Sequence, residues 1–295
     1  MKKVIAISIA LMSIVPLSAH ADSNKTIAII DTGYISSILQ FQGKISYEAC
    51  FNGLLPTCPN GKYFQEGTGS AAITVEQAKI GMASHGTEML SASINTNPTT
   101  NFVYIRAYSI SANNIFGPSD SDLASILNWL YANNNKFNIG AVVFSGGRNV
   151  TSCPTNTAIS KSVSDFKSLN IPVIMSAGND YNNNIVNFPS CLTQVISVGS
   201  VDKFGLHALY SNSGLGLDFD ALGSISVTNY AGNQVISTGT SAAAQVFTAQ
   251  WMAIKQAKQG ITYDQEYSLI QKNAALVSNQ YVKNVPSISL SAILK

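Results

Sequence analysis

Charge is scarce in this chain: only 11% of its 295 residues are Asp, Glu, Lys or Arg, and the formal net charge is +2. Two of the basic residues, Lys2 and Lys3, stand at the N-terminus, and without them fifteen basic residues face fifteen acidic ones. No basic cluster with interleaved aromatics occurs, so nucleic acid is not an expected partner. Long hydrophobic runs are missing too. The stretch from Val4 to Val15 is too short to span a bilayer, and no other run of about 20 apolar residues exists. No integral membrane segment is expected. Cys-x-x-Cys pairs are absent, and after the first 21 residues only His85 and His207 could add imidazoles, which argues against a zinc site. No loop carries an obvious carboxylate cluster for calcium. The expectation is no metal and no cofactor. Gly-x-Ser-x-Gly, the nucleophile elbow of one large hydrolase class, does not occur either, which counts against an esterase of that class.

What is present begins with an export signal. Lys2 and Lys3 precede the apolar stretch, and Ala19-His20-Ala21 fits an Ala-x-Ala cleavage site. Residues 1–21 therefore read as a secretory signal peptide, and residues 22–295 as one domain large enough for a single sizeable core. The product is expected to be secreted or periplasmic. Four cysteines, Cys50, Cys58, Cys153 and Cys191, lie in the exported part. An even number behind a signal peptide favours disulfides over free thiols. Three pairings remain open. The preferred one joins Cys50 to Cys58 as a local staple and Cys153 to Cys191 across two loops.

Short continuous apolar runs at 26–30, 102–106, 141–144, 173–175 and 195–198 read as strands buried on both faces. Segments 122–132 and 160–169, and one starting at His85, have helical spacing. This rhythm predicts an α/β fold with a mostly parallel sheet and helices on both faces, where chemistry gathers at the carboxyl ends of strands. Three motifs stand at such places: Asp31-Thr32-Gly33 closing the first run, Ser84-His85-Gly86-Thr87, and Gly239-Thr240-Ser241-Ala242-Ala243. A serine hydroxyl attacks a carbonyl only if a base takes its proton and a third group orients that base. Each motif alone is bland. Asp-Thr-Gly is usually a turn, and a lone histidine is usually structural, which is how His207 is read. Their conjunction is not bland, and a fourth block, Ser176-Ala177-Gly178-Asn179, follows the apolar run 171–175.

In these four blocks and in the chain order Asp, His, Ser, the sequence resembles the subtilisin-like serine proteases from about Thr26 to the C-terminal helices. The resemblance implies a three-layer fold, with Ser241 as nucleophile, His85 as base and Asp31 as its orienting carboxylate. It also implies an oxyanion hole made by Asn179 and the Ser241 N–H, and a protein or peptide as substrate. Ser145, Gly146, Ser176 and Ala177 are matched by position to contacts with substrate backbone or the P1 side chain. Three departures stand out. About ten residues separate the expected cleavage from Asp31, too few for the family's usual prosegment. Gln245 stands where proline is customary, four residues after the nucleophile. The substrate-pairing strand reads Phe144-Ser145-Gly146-Gly147, without the usual apolar residue between Ser and Gly. The first and third are similar to the toxin branch of the family, the catalytic A subunits of subtilase cytotoxins, which implies a host-directed protease with an accessory or delivery subunit. The rival reading is a non-catalytic binding protein, or a partner-dependent subunit, that keeps the fold.

Overall fold

The computed structural model describes residues 25–294, so the expected signal peptide lies outside the described residues. Strand β1 (Thr26–Asp31) is buried at every position. It is followed by β2 (Ile45–Phe51), β3 (Phe64–Glu66), the short helix α1 (Val75–Ala78), α2 (His85–Thr96) and β4 (Asn101–Arg106). A small hairpin of β5 (Ser109–Ile110) and β6 (Ile115–Phe116) leads to α3 (Asp120–Ala132), α4 (Asn134–Phe137) and β7 (Ile139–Phe144). Next come α5 (Thr157–Ser168), β8 (Val173–Ser176), β9 (Ile196–Val201) and β10 (Phe219–Leu222). A second hairpin, β11 (Ser224–Thr228) and β12 (Gln234–Thr238), precedes α6 (Thr240–Ala257) and α7 (Tyr263–Asn273). Strands β13 (Ala275–Val277) and β14 (Val285–Ser287) and helix α8 (Leu290–Ile293) complete the described chain.

Ten strands form one sheet in the order β13-β14-β10-β9-β8-β7-β1-β4-β2-β3. Its neighbours run parallel except at the two edges, where β13 pairs with β14 and β3 with β2 in antiparallel fashion. Period-two alternation divides β1 between two cores. Ile27 and Ile29 face a layer containing Leu90 of α2 and Phe247, Trp251 and Met252 of α6. Ala28 and Ile30 face Leu123, Ile126, Leu127 and Leu130 of α3 and Ile159, Val163 and Phe166 of α5. The three- and four-residue spacing in α3 and α5 makes one apolar stripe per helix, whereas α6 is buried on every side over 242–249. Each fully buried Leu, Ile, Val or Phe contributes about 1.5–3 kcal/mol. Helix starts are set locally: Ser119 and Asp122 form a capping box at α3, and the Asn156 side chain caps α5. This is the expected three-layer arrangement, with β2 and β4 on one side of β1 and β7 to β10 on the other. The winding reverses across β1, and ligands in such sheets sit beyond the strand carboxyl ends at that reversal.

The central strands and the helices α2, α3 and α5 lie within a few residues of the sequence expectation. Strands β2 and β10 were not expected, because each buries a carboxylate in mid-strand. Glu48 in β2 accepts from the Tyr34 hydroxyl at 2.9 Å and the Ala71 N–H at 3.1 Å. Asp220 in β10 is bonded to His207 at 2.7 Å. Four cysteines pair as Cys50 with Cys58 and Cys153 with Cys191, across 8 and 38 residues of sequence. No helix among the described residues is long and apolar enough to cross a membrane.

Candidate active site

Asp31 is the last residue of β1 and is 2% exposed. His85 is the first residue of α2, brought beside it by the close approach of that helix to the turn after β1. Gly86 permits the approach, because a Cβ there would lie 2.1 Å from the Tyr104 hydroxyl and 2.4 Å from the Gly33 carbonyl. Thr32 pins the same junction: its hydroxyl donates to the Ala83 carbonyl at 2.8 Å and accepts the Gly86 N–H at 2.9 Å. The outcome is a 2.8 Å bond between His85 Nδ1 and Asp31 Oδ1. Asp31 Oδ1 also accepts the Thr32 N–H at 2.7 Å, while Oδ2 is buried without a hydrogen-bond partner among the described residues. With Nδ1–H given to the carboxylate, Nε2 carries the lone pair. Burial disfavours the imidazolium, but the charge and hydrogen bond of Asp31, with Glu88 adding to them, outweigh it. The His85 pKa is raised above its ordinary 6.5.

Ser241 is the second residue of α6. Its hydroxyl donates to the Ser145 carbonyl at 3.3 Å rather than to His85. Asn179 follows β8, where Gly178 holds φ +106°; a Cβ there would also come within 2.4 Å of the Asn187 and Asn212 side-chain amides. The Asn179 Oδ1 accepts both the N–H and the hydroxyl of Thr240, at 2.9 and 3.0 Å. That pins the amide and leaves its Nδ2, a donor, beside the cleft. Thr240 completes the link by accepting the Gly178 N–H at 3.1 Å.

A cleft of about 400 Å³ collects Thr32, His85, Tyr108, Ser145, Gly146, Ser176, Asn179 and Ser241 in its walls. Of the residues expected in catalysis or substrate contact, the cleft is lined by all but Asp31, which stands behind His85, and Ala177. Ala177 is fully buried in the core shared with α3 and α5, its carbonyl accepting the Asn187 N–H at 2.8 Å. Among the described residues no group of three His, Cys, Asp or Glu could hold a metal ion. His207, the other described histidine, is fully buried against Asp220, away from the cleft lining.

Comparison with known proteins agrees with this architecture. The sequence pattern of the Subtilase family matches residues 22–287. The chain belongs to the subtilase family. This subtilase is a serine endopeptidase, acting on protein or peptide substrates. Among solved structures, the protease domain of PatA is 19% identical, with a TM-score of 0.72, over 94% of this chain and 96% of that one. A protease from Pseudoalteromonas arctica PAMC 21717 is 20% identical, with a TM-score of 0.72, over 93% and 90%. A cold-adapted subtilisin-like serine proteinase is 20% identical, with a TM-score of 0.67, over 91% and 90%. At these identities the likeness is one of fold.

Thr32, Thr240 and Arg106 carry no signal of their own along the chain. The two threonines lie inside the motifs, but only the fold shows that they tie one block to the next. Arg106 ends β4 in register with Asp31. Its guanidinium donates to the carbonyls of Ala72 and Thr57, at 3.3 and 3.1 Å, and burial pushes its pKa down to about 10. It had no sequence signal, since a strand-end arginine is ordinarily exposed.

Proposed function

We propose that this subtilase hydrolyses peptide bonds through an acyl-enzyme, with Ser241, His85 and Asp31 as nucleophile, base and orienting carboxylate. The observation that carries the reading is the 2.8 Å bond between His85 Nδ1 and Asp31 Oδ1 at the wall of a cleft that also holds Ser241. Substrate binding turns the Ser241 hydroxyl from the Ser145 carbonyl toward His85 Nε2, since catalytic hydrogen bonds commonly tighten only in the occupied site. His85 takes that proton as Oγ attacks the scissile carbonyl, then delivers it to the leaving amine. Asn179 Nδ2 and the Ser241 N–H, at the start of α6, stabilise the oxyanion. Removing such an amide costs on the order of 10²–10³ in kcat, a figure that comes from subtilisin itself. Ser145, Gly146 and Ser176 line the wall on which an extended substrate would lie. The paired cysteines suit an oxidising compartment, and the chain is proposed to act after export, secreted or in the periplasm.

The test is labelling of the purified protein by a fluorophosphonate, beside a peptide-cleavage assay, with Ser241→Ala as control. Labelling that disappears in the variant is expected, with kcat down by several orders of magnitude. A folded protein that takes up no label would instead support the non-catalytic reading.

A further inference from the structure

We propose that Gln245 is a positioning residue for the Ser241 nucleophile and that it acts through Ser145; the proposal rests on the triad reading above. Gln245 lies one helical turn after Ser241 in α6 and is fully buried. A buried primary amide needs partners at both ends. Here Oε1 accepts from the Ser93 hydroxyl at 2.7 Å, and Nε2 donates to the Ser145 hydroxyl oxygen at 3.1 Å. Ser93 is itself buried, on α2, two turns beyond His85. Ser145 directly follows β7. Its hydroxyl donates to the Ser241 carbonyl at 3.4 Å, and its own carbonyl accepts the Ser241 hydroxyl at 3.3 Å.

One side chain therefore joins the helix that carries the base, the helix that carries the nucleophile, and the peptide on which the nucleophile's proton rests. Donor and acceptor counting gives the chain of bonds this direction once the Ser145 proton is placed on the Ser241 carbonyl. Ser145 gives its only proton to Ser241, so it must accept from the amide; the other end of the amide must then accept from Ser93. The family's customary proline at this place could make neither bond. Without the amide, nothing from α6 would hold the Ser145 hydroxyl as an acceptor, and the Ser145–Gly146 peptide could turn. Displacement of reacting groups by about 1 Å can lower a rate by about 10²-fold, and a smaller displacement is expected here.

The test is a double-mutant cycle on the full protein, read by the second-order rate of fluorophosphonate labelling at a temperature where every variant is folded. Gln245→Met keeps the length of the side chain and removes both bonds. It is expected to slow labelling about 10-fold and to lower peptidase kcat similarly, with KM within about 3-fold. In the Ser145→Ala background the same substitution is expected to change the rate less than about 2-fold, because the route through Ser145 is already cut. An unchanged rate, or an equal loss in both backgrounds, would overturn the proposal. Should Gln245→Met fail to fold, Ser93→Ala removes a single oxygen at the far end of the amide. It should give a loss in the Ser145 protein that vanishes in the Ser145→Ala background, and an equal loss in both overturns the proposal. Absence of labelling in the unmutated protein would instead count against the triad reading.

Discussion

The imidazole of His85 sits between opposing influences: burial works against its charge, while Asp31 at 2.8 Å and Glu88 favour it, and the second influence wins. As the proposed base, His85 would act only when neutral, so the acid limb of kcat/KM is expected above pH 6.5, the ordinary histidine value. Replacing Asp31 by Asn removes the main charge that holds the proton. The limb should then move to lower pH, while kcat falls by roughly 10⁴-fold, as in another Ser-His-Asp protease treated in this way. A pH profile of peptide cleavage checks both. The stability contributed by the pair has the opposite sense to activity. It is fully present below the unfolded histidine pKa and is lost as pH rises through the raised folded value.

Between elements, buried charges act as connectors. His207 follows β9 and meets Asp220 in the middle of β10, both with fully buried side chains; Nδ1 to Oδ2 is 2.7 Å. Burial raises the Asp220 pKa, opposed by the hydrogen bond and charge of His207. The Asp220 carboxyl therefore favours the fold below about pH 3.8, its ordinary value, and that contribution is lost as pH rises through the raised folded value. Among the described residues Asp220 Oδ1 has no hydrogen-bond partner, and His207 bonds the other oxygen of this carboxylate. His207→Ala is expected to destabilise the protein by about 3–5 kcal/mol at neutral pH. The deficit should shrink on acidification as Asp220 takes up a proton. Denaturant unfolding at two pH values measures it, and fluorophosphonate labelling of the folded fraction should be unaffected, since the pair lies outside the cleft lining.

On the scale of the whole molecule, the groups proposed for catalysis come from four separate places along the chain and meet because the sheet winds both ways from β1. One cross-link spans part of that circuit. The Cys153–Cys191 bond closes a segment that contains α5, β8 and the cleft residues Ser176, Gly178 and Asn179. In the chain-entropy picture a loop of 38 residues is worth about 4 kcal/mol. Replacing both cysteines by serine is expected to lower the unfolding free energy by up to that amount, read from denaturant curves. The Cys50–Cys58 loop of 8 residues is worth less, about 2–3 kcal/mol on the same relation.

The sequence by itself determined the class of fold and the three groups proposed for the chemistry. Strands such as Ile27 to Ile30 are apolar on both faces, which is legible without a partner, and the motifs around Asp31, His85 and Ser241 carry their chemistry in the residue types. Edge and outer strands were hidden, because Glu48 and Asp220 break the apolar pattern; their burial becomes tolerable only when Tyr34, Ala71 and His207 arrive from elsewhere in the chain. Only tertiary structure decided how the blocks are joined: Thr240 turning the Asn179 amide, Arg106 bonding the carbonyls of Ala72 and Thr57, Ala177 lying in the core, and Gln245 spanning 152 residues of sequence to reach Ser93. A hydrogen bond between distant residues leaves no periodicity along the chain, and its partners are fixed only when packing brings them within about 3 Å.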